Sequence, residues 1–157
     1  MRIGRFAVLT LFTAACSSAY TPVPVKGVVT LDGQPVEGAV VHFLVPGEQT
    51  EGRPAFGTTD HEGRFRLSTL GREDGALPRD YRVVVFKYVP ARPDVQIPAF
   101  PKTPKGKAER EDFLYKLYGD KPHTQNILPA KYADINTTPF QITVPTKGEV
   151  VLDLSST

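Results

Sequence analysis

The sequence predicts an all-β fold: a seven-stranded antiparallel sandwich of two sheets, interrupted by a proline-rich, partly helical insertion. Two observations predict it. Apolar and polar residues alternate along several short segments, which is the period of a half-buried strand. Gly and Pro number 13 and 15 among 157 residues, and these turn formers interrupt the segments at short intervals. Several short strands with regular turns between them are typical of a two-sheet sandwich.

The turn residues give the positions of the strands. Asp32 and Gly33 form a strong turn pair. Asp60 and Gly63 fit the first and fourth positions of a type I turn, because Asp caps such a turn and Gly accepts a positive φ. Gly38 is assigned to a further turn. The predicted strands are 25–31, 36–45, 55–59, 64–68, 81–88, 140–144 and 149–154, the last two as a closing hairpin.

The first 24 residues predict export. Two arginines precede an apolar run at 6–14, and small residues then precede Cys16. The run is too short to span a bilayer, which requires ~20 residues. This order of charge, short apolar run and small residues is typical of a secretory signal peptide. We therefore predict a signal peptide at 1–15 and a small, polar, proline-containing tether at 16–24.

The residues around the predicted cleavage site resemble the lipobox of bacterial lipoproteins. They read Thr-Ala-Ala-Cys at 13–16, with Thr13 where the family usually has Leu. The resemblance implies that a diacylglyceryl group alkylates the Cys16 thiol, and two or three acyl chains anchor a protein stably. The residue after Cys16 is Ser17 and not Asp, and this resembles the pattern of lipoproteins that are sorted to the outer membrane in cells with two membranes. The alternative is an ordinary signal peptide that leaves a soluble protein.

Three segments resemble a known domain family. Residues 27–41, around the first turn pair, look like the opening of carboxypeptidase regulatory-like domains, which have a transthyretin-like sandwich. Residues 58–65 resemble the second signature of that family, a T-D-x-x-G-x-F turn. Residues 128–132 (Leu-Pro-Ala-Lys-Tyr) resemble a subgroup of small bacterial lipoproteins that carry this domain. The resemblance implies an auxiliary module at 25–154 that stabilises, presents or binds, without chemistry of its own.

The segment 89–126 does not follow the strand pattern. It contains six prolines, five of them at positions 90–104, which predict an extended loop in its first half. A helix is predicted at 106–118, ending at Gly119 as a C-cap. We assign the apolar side chains of this helix as possible partner-binding residues: Phe113, Leu114, Tyr115, Leu117 and Tyr118. The apolar stripe that they include packs back on an edge or face of the sandwich, docks a partner, or belongs to a disordered segment.

Charge and motif content argue against several function classes. The 19 basic residues less two in the leader leave 17, which equals the 17 acidic residues, so no nucleic-acid partner is expected. His42, His61 and His123 lack the spacing of a metal site, no calcium loop occurs, and no cofactor is expected. There is no Gly-x-Ser-x-Gly elbow. The chain also lacks the C-terminal Tyr-Arg-Gly-Ser of hydroxyisourate hydrolases and the paired histidines of intradiol dioxygenases, so we predict no enzyme activity.

The sequence thus predicts a non-catalytic lipoprotein of the cell envelope. Its sandwich domain is expected to act as a structural or protein-interaction module, held at a membrane through acylated Cys16. The alternative is a ligand-binding module for a glycan or peptide that uses the insertion at 89–126. The chain has no Trp, the side chain that stacks best on a sugar ring. The residues do not show whether the partner is an envelope protein or a glycan.

Overall fold

The computed structural model describes residues 21–47 and 53–157, which form a mainly β fold. The signal peptide predicted at 1–15 and Cys16 lie outside these described residues. The elements are β1 Lys26–Leu31, β2 Gln34–Pro35, β3 Val40–Leu44, β4 Ala55–Thr58, β5 Arg64–Arg66, β6 Asp80–Phe86, β7 Tyr88–Pro90, α1 Pro104–Tyr118, β8 Thr124–Asn126, a 3-10 turn Ala130–Tyr132, β9 Gln141–Thr143 and β10 Val150–Leu154. Ten strands are thus found in the described residues, where seven were predicted.

Eight of these strands form two four-stranded sheets. In the first sheet β1 is central, with β10 along one edge and β2 and β5 along the other. The second sheet has the order β4-β3-β6-β9. The remaining strands, β7 and β8, pair with each other as an antiparallel ribbon.

Side-chain alternation places apolar residues of both sheets in one hydrophobic cluster. Burying a valine, leucine or phenylalanine stabilises a fold by roughly 1.5–3 kcal/mol, so this cluster is the main source of stability. Its members with no exposed surface include Val29 and Leu152 of the first sheet and Val41, Phe43, Val83 and Val85 of the second.

The prediction of a wholly antiparallel sandwich is wrong at one strand pair. β1 and β10 run parallel, with Gly27 opposite Val150 and Leu31 opposite Leu154. β9 instead pairs with β6 in the other sheet, so the predicted closing hairpin does not form and the chain crosses between the sheets at 144–149. Alternation shows which side chains face the core. It does not show which strand lies alongside, so the pattern could not distinguish a crossing from a hairpin.

The segment 89–126 contains the predicted helix, together with two short strands that were not predicted. β7 and β8 close its base, and the Asn126 side chain accepts a hydrogen bond from the Lys87 amide at 2.9 Å. α1 begins at Pro104, two residues before the predicted start, because the Thr103 hydroxyl caps the helix by accepting from an amide of the first turn. The helix ends at Tyr118, and Gly119 follows with a φ of 60°.

The strand register places the N-terminal segment and the insertion at opposite ends of the sheets. Val23 pairs with Ala76 just before β1, so pairing already begins inside the predicted tether. The same end holds the loop 68–75, because the bridge between Phe56 and Ser68 ties this loop to the beginning of β4. We call it the tether end.

The other end of the sheets is defined by the insertion. β6 ends at Phe86, opposite Val40, and the insertion starts directly after it. Thr58 also lies opposite Val40, and the turn at 60–63 follows β4 there. We call this the insertion end. The fold therefore separates the N-terminal segment from the insertion by the length of the strands.

Asp74 organises the loop at the tether end. Its carboxylate accepts hydrogen bonds from the backbone amides of Thr69, Leu70 and Gly71 at 2.7, 3.0 and 2.7 Å. These bonds, above all the one from Thr69, lower the pKa of Asp74 below its ordinary value of 3.8 against the opposing effect of desolvation. The loop is therefore held by a carboxylate that has to be ionised to accept all three bonds.

We expect the stability of the protein to depend on Asp74 in acid. Because the pKa of Asp74 is lower in the folded state than in the unfolded one, its contribution is present above 3.8 and is lost as the pH falls through the folded pKa. Asp74→Asn should lower the free energy of unfolding at neutral pH and flatten its decline in acid. Urea unfolding across a pH series measures both. Asp94→Asn, at an exposed site in the insertion, is the control, and an unchanged acid slope for Asp74→Asn would contradict the expectation.

Candidate functional site

The five turn residues singled out in the sequence lie in tight turns. Asp32 and Gly33 have φ values of 51° and 79°, the left-handed pair that joins two antiparallel strands. Gly38 and Gly63 have φ values of 67° and 74°. The Asp60 carboxylate accepts hydrogen bonds from the Arg64 and Glu62 amides, each at 2.9 Å. These bonds, led by that of Arg64, lower the pKa of Asp60. The turn residues thus have a structural role, since they adopt or stabilise the backbone conformations of the turns.

The predicted partner-binding residues on α1 divide into covered and accessible side chains. Leu114 and Tyr118 are buried, with 1% and 8% of their surface exposed. Phe113 and Leu117 are half-buried. Tyr115 is 63% exposed. A partner can therefore reach Tyr115 directly, whereas contact with the two buried side chains would require the helix to move.

Two of these side chains contact other rings of the insertion. The ring of Phe113 lies 5.7 Å from that of Phe100, in the proline-rich half. The ring of Tyr118 lies 4.9 Å from that of His123, just before β8. The His123 carbonyl in turn accepts a hydrogen bond from the Ala91 amide at 2.9 Å. The insertion is therefore packed around α1, and its apolar stripe is turned inward.

A row of aromatic rings, which the sequence did not predict, crosses the outer face of the second sheet and continues to β7. His42 lies between Phe56 and Phe86, with ring centroids 6.3 and 5.1 Å away, and Phe86 lies 5.4 Å from Tyr88. Burial lowers the pKa of His42, so the ring is neutral at neutral pH. Phe56 and Tyr88 are 53% and 59% exposed. All are outward-facing strand positions, but the strand register that joins them is not visible in the sequence.

A groove of about 910 Å³ runs along β1, β4 and β5. Its charged lining is mixed in sign. Arg64 pairs with Glu62 at 2.9 Å, and Arg66 approaches Glu73 at 3.9 Å. The charged side chains that line it are Lys26, Asp60, Arg64, Arg66, Arg72, Glu73 and Glu149. The groove thus presents both charges to solvent.

Residues 128–132 hold the C-terminal end of the chain. The Tyr132 hydroxyl accepts a hydrogen bond from the Ser155 amide at 2.9 Å, and its ring stacks on Phe140 at 5.5 Å. The Lys131 ammonium donates to the Thr157 carbonyl at 2.7 Å. This motif therefore has a packing role: it fixes the end of β10 against the rest of the domain.

The part of the chain that the structure describes contains no group of three or more His, Cys, Asp or Glu side chains that could hold a metal ion. His42 lies in β3, His61 in the turn after β4 and His123 beside α1. Within residues 21–47 and 53–157 no helix is long and apolar enough to cross a membrane.

Comparison with known proteins leaves the family unassigned. No family model, curated protein or solved structure matches the chain. Two of the segments that resemble carboxypeptidase regulatory-like domains do lie side by side, since Val28 is opposite Arg64. The Thr59 hydroxyl further joins them by accepting from the Ala39 amide at 2.8 Å and donating to the Val36 carbonyl.

Proposed function

We propose that this protein is a non-catalytic lipoprotein of the cell envelope, with a transthyretin-like sandwich of the carboxypeptidase regulatory-like kind. Acylated Cys16 holds it at a membrane, the outer one in cells that have two. The sandwich acts as a structural or protein-interaction module that presents the insertion. The observation that carries this proposal is the placement of the N-terminal segment and the insertion at opposite ends of the sheets.

The length of the tether supports this arrangement. Seven residue steps separate Cys16 from Val23, and a chain rises at most about 3.6 Å per residue, so they span at most about 25 Å. Val23 is fixed to Ala76 by two backbone hydrogen bonds of 2.8 and 3.0 Å. An anchor at Cys16 therefore keeps the tether end beside the bilayer and leaves the insertion end facing the surrounding compartment.

Tyr115 is the accessible aromatic side chain on α1. It lies next to Lys116, which pairs with Asp112 at 2.7 Å on the exposed side of the helix. Tyrosine is enriched in protein interfaces because it combines a large apolar ring with a hydrogen-bonding group. A partner that approaches from the compartment therefore meets Tyr115 before the buried stripe.

Photocrosslinking from position 115 tests the interaction role. A photoreactive amino acid in place of Tyr115 should crosslink one defined envelope protein in the native cell, and the same residue in place of Val151 should not. Val151 is the matched control because it is also 63% exposed, on β10. Tyr115→Ala should weaken binding of the purified pair about tenfold, the effect of losing an interface tyrosine. Equal crosslinking from both positions would contradict the proposal.

A glycan array distinguishes the ligand-binding alternative. The wild-type protein is compared with two variants for binding to one glycan class. If Tyr115→Ala abolishes the binding and Val151→Ala keeps it, the insertion binds a glycan and not a protein partner. Tyr118→Ala is a poor probe, since Tyr118 is buried and its removal would leave a cavity in the insertion.

The intact mass of protein from its native membrane tests the anchor. We expect a chain that starts at Cys16 and carries a diacylglyceryl group. Cys16→Ser should abolish the lipid and move the protein to the soluble fraction, because apolar acyl chains supply the membrane affinity. A mature chain cut elsewhere without lipid would contradict the anchor.

A further inference from the structure

Charged side chains of opposite sign lie next to each other on the outer face of the first sheet. The parallel register of β1 and β10 places Lys26 beside Glu149, one residue before its first pair. On its other side Lys26 lies opposite Arg66 of β5. All three side chains are exposed, and all three line the groove of about 910 Å³. The groove therefore offers hydrogen-bond donors and acceptors side by side.

The charges of this groove nearly cancel. Four basic and three acidic side chains line it, and Glu62 adds a fourth acid because it pairs with Arg64 at 2.9 Å. In the part of the chain that the structure describes, the side chains of Lys26, Arg72 and Glu149 form no ion pair or hydrogen bond. These three side chains keep their hydrogen-bonding capacity for a ligand. An anion or a cation would meet charges of its own sign here, whereas a neutral ligand would not.

The groove does not offer a peptide the usual means of binding. Phe56 and Ser68 exchange two backbone hydrogen bonds of 3.0 and 2.8 Å, and the Asp60 amide donates to the Arg64 carbonyl at 2.9 Å. β4 and β5 are thus already joined to each other, whereas a peptide that adds to a sheet requires an unpaired strand edge. Phe65, a second aromatic residue of the lining, is only 3% exposed and leaves no apolar pocket for peptide side chains.

Phe56 supplies an accessible apolar surface in the same groove. Its side chain is 53% exposed and belongs to the lining. A sugar ring has an apolar C–H face that packs on such a ring, and each of its hydroxyl groups donates one hydrogen bond and accepts two. Hydroxyl groups can therefore donate to carboxylates and accept from ammonium and guanidinium groups in one site. Ligand sites of roughly 300–1,000 Å³ hold a drug-sized molecule, so a groove of about 910 Å³ has room for a short oligosaccharide.

We propose that the groove along β1, β4 and β5 binds a neutral oligosaccharide. The sugar hydroxyls donate to Glu149 and accept from Lys26 and Arg72, and one sugar ring packs on Phe56. The site is separate from the insertion at 89–126. It depends neither on Tyr115 nor on the anchor.

An array of short neutral oligosaccharides tests the ligand class. The full mature protein is used, in a detergent without a sugar headgroup, because a glycosidic detergent would compete for the groove. We expect at least one neutral oligosaccharide to bind, and Phe56→Ala should weaken that binding about tenfold, the effect of losing an aromatic anchor. Ile127→Ala is the matched control, since Ile127 is 49% exposed outside the groove. Absence of binding, or an equal loss in both variants, would overturn the inference.

Removal of one charge of each sign tests how the ligand is held. In a calorimetric titration with the oligosaccharide that binds best, Lys26→Ala and Glu149→Ala should each weaken binding about fivefold, because each removes a charge-assisted hydrogen bond. Lys107→Ala, on the exposed side of α1, should leave the affinity unchanged. An opposite response of the two groove variants, or no response of either, would overturn the inference.

Two further results separate this inference from the proposed function. Glycan binding that is lost on Tyr115→Ala and kept on Phe56→Ala would assign the glycan to the insertion and overturn the groove. Crosslinking of a protein partner from position 115, together with a groove that binds peptides and no oligosaccharide, would leave the interaction role in place and overturn this inference alone. Oligosaccharide binding that depends on Phe56, without crosslinking from position 115, would support the groove and contradict the interaction role.

Discussion

Gly63→Ala is expected to lower the free energy of unfolding by about 3 kcal/mol. Gly63 has a φ of 74°, and an alanine in this left-handed conformation costs roughly 1–2 kcal/mol. A Cβ at this position would also lie 2.5 Å from the Val29 carbonyl oxygen. The Val29 amide donates to the Gly63 carbonyl at 2.8 Å, so the turn cannot move away without losing that bond. Displacing packed backbone adds about 1–3 kcal/mol.

Gly33→Ala separates the two contributions. Gly33 has a similar φ of 79°, but no atom lies within 4 Å of the Cβ that alanine would add. We expect this variant to lose only the conformational part, about 1 kcal/mol. Equilibrium urea unfolding of both variants measures the difference. If the two lose the same stability, the close approach to Val29 does not contribute.

Thr59→Val is expected to cost about 2 kcal/mol, although the two side chains have nearly the same shape. The Thr59 hydroxyl accepts from the Ala39 amide at 2.8 Å and donates to the Val36 carbonyl at 2.5 Å. Thr59 is 5% exposed, so a valine methyl group in its place would leave both backbone groups without this partner and shielded from water. Removing one partner from a buried hydrogen bond costs about 1–3 kcal/mol.

Thr58→Val provides the matched control for this prediction. Thr58 is the neighbouring residue and is exposed at the end of β4. Substitutions at such surface sites are usually within about 0.5 kcal/mol of neutral. Thermal or urea unfolding compares the two. A loss at Thr59→Val no larger than that at Thr58→Val would show that the hydroxyl bonds add nothing net to stability.

Alternation of apolar and polar residues could predict where most strands lie. It could not predict which strands pair with each other. In β5, Phe65 is buried between two exposed arginines, as its polar-apolar-polar pattern indicates. The pattern of β10 is equally regular, yet nothing in it shows that β10 lies parallel to β1. The strands of the ribbon, β7 and β8, have three residues each, too short for any period to appear. Pairing depends on the whole chain, whereas alternation is local.

The candidate site could likewise be predicted only in part. The helix could be predicted from its apolar stripe and from Gly119. Which side chains of that helix stay accessible depends on where Phe100 and His123 pack, and these lie outside the helix. The aromatic row through His42 depends on cross-strand register for the same reason. The local sequence therefore shows which types of side chain are available, whereas only the fold shows which of them lie together on one surface.

The parallel pair of β1 and β10 bears on when the first sheet can form as the chain is made. β1 is the first strand of the domain and β10 the last, so the first sheet has to wait for residues 150–154 before it can close. Contacts between such distant segments form late, because a long loop has to be ordered first. A chain with this topology cannot complete its first sheet until those last residues are available. A chain that stops short of β10 would leave one edge of β1 unpaired, while β2 and β5 still pair along the other edge. An unpaired strand edge is a template for aggregation.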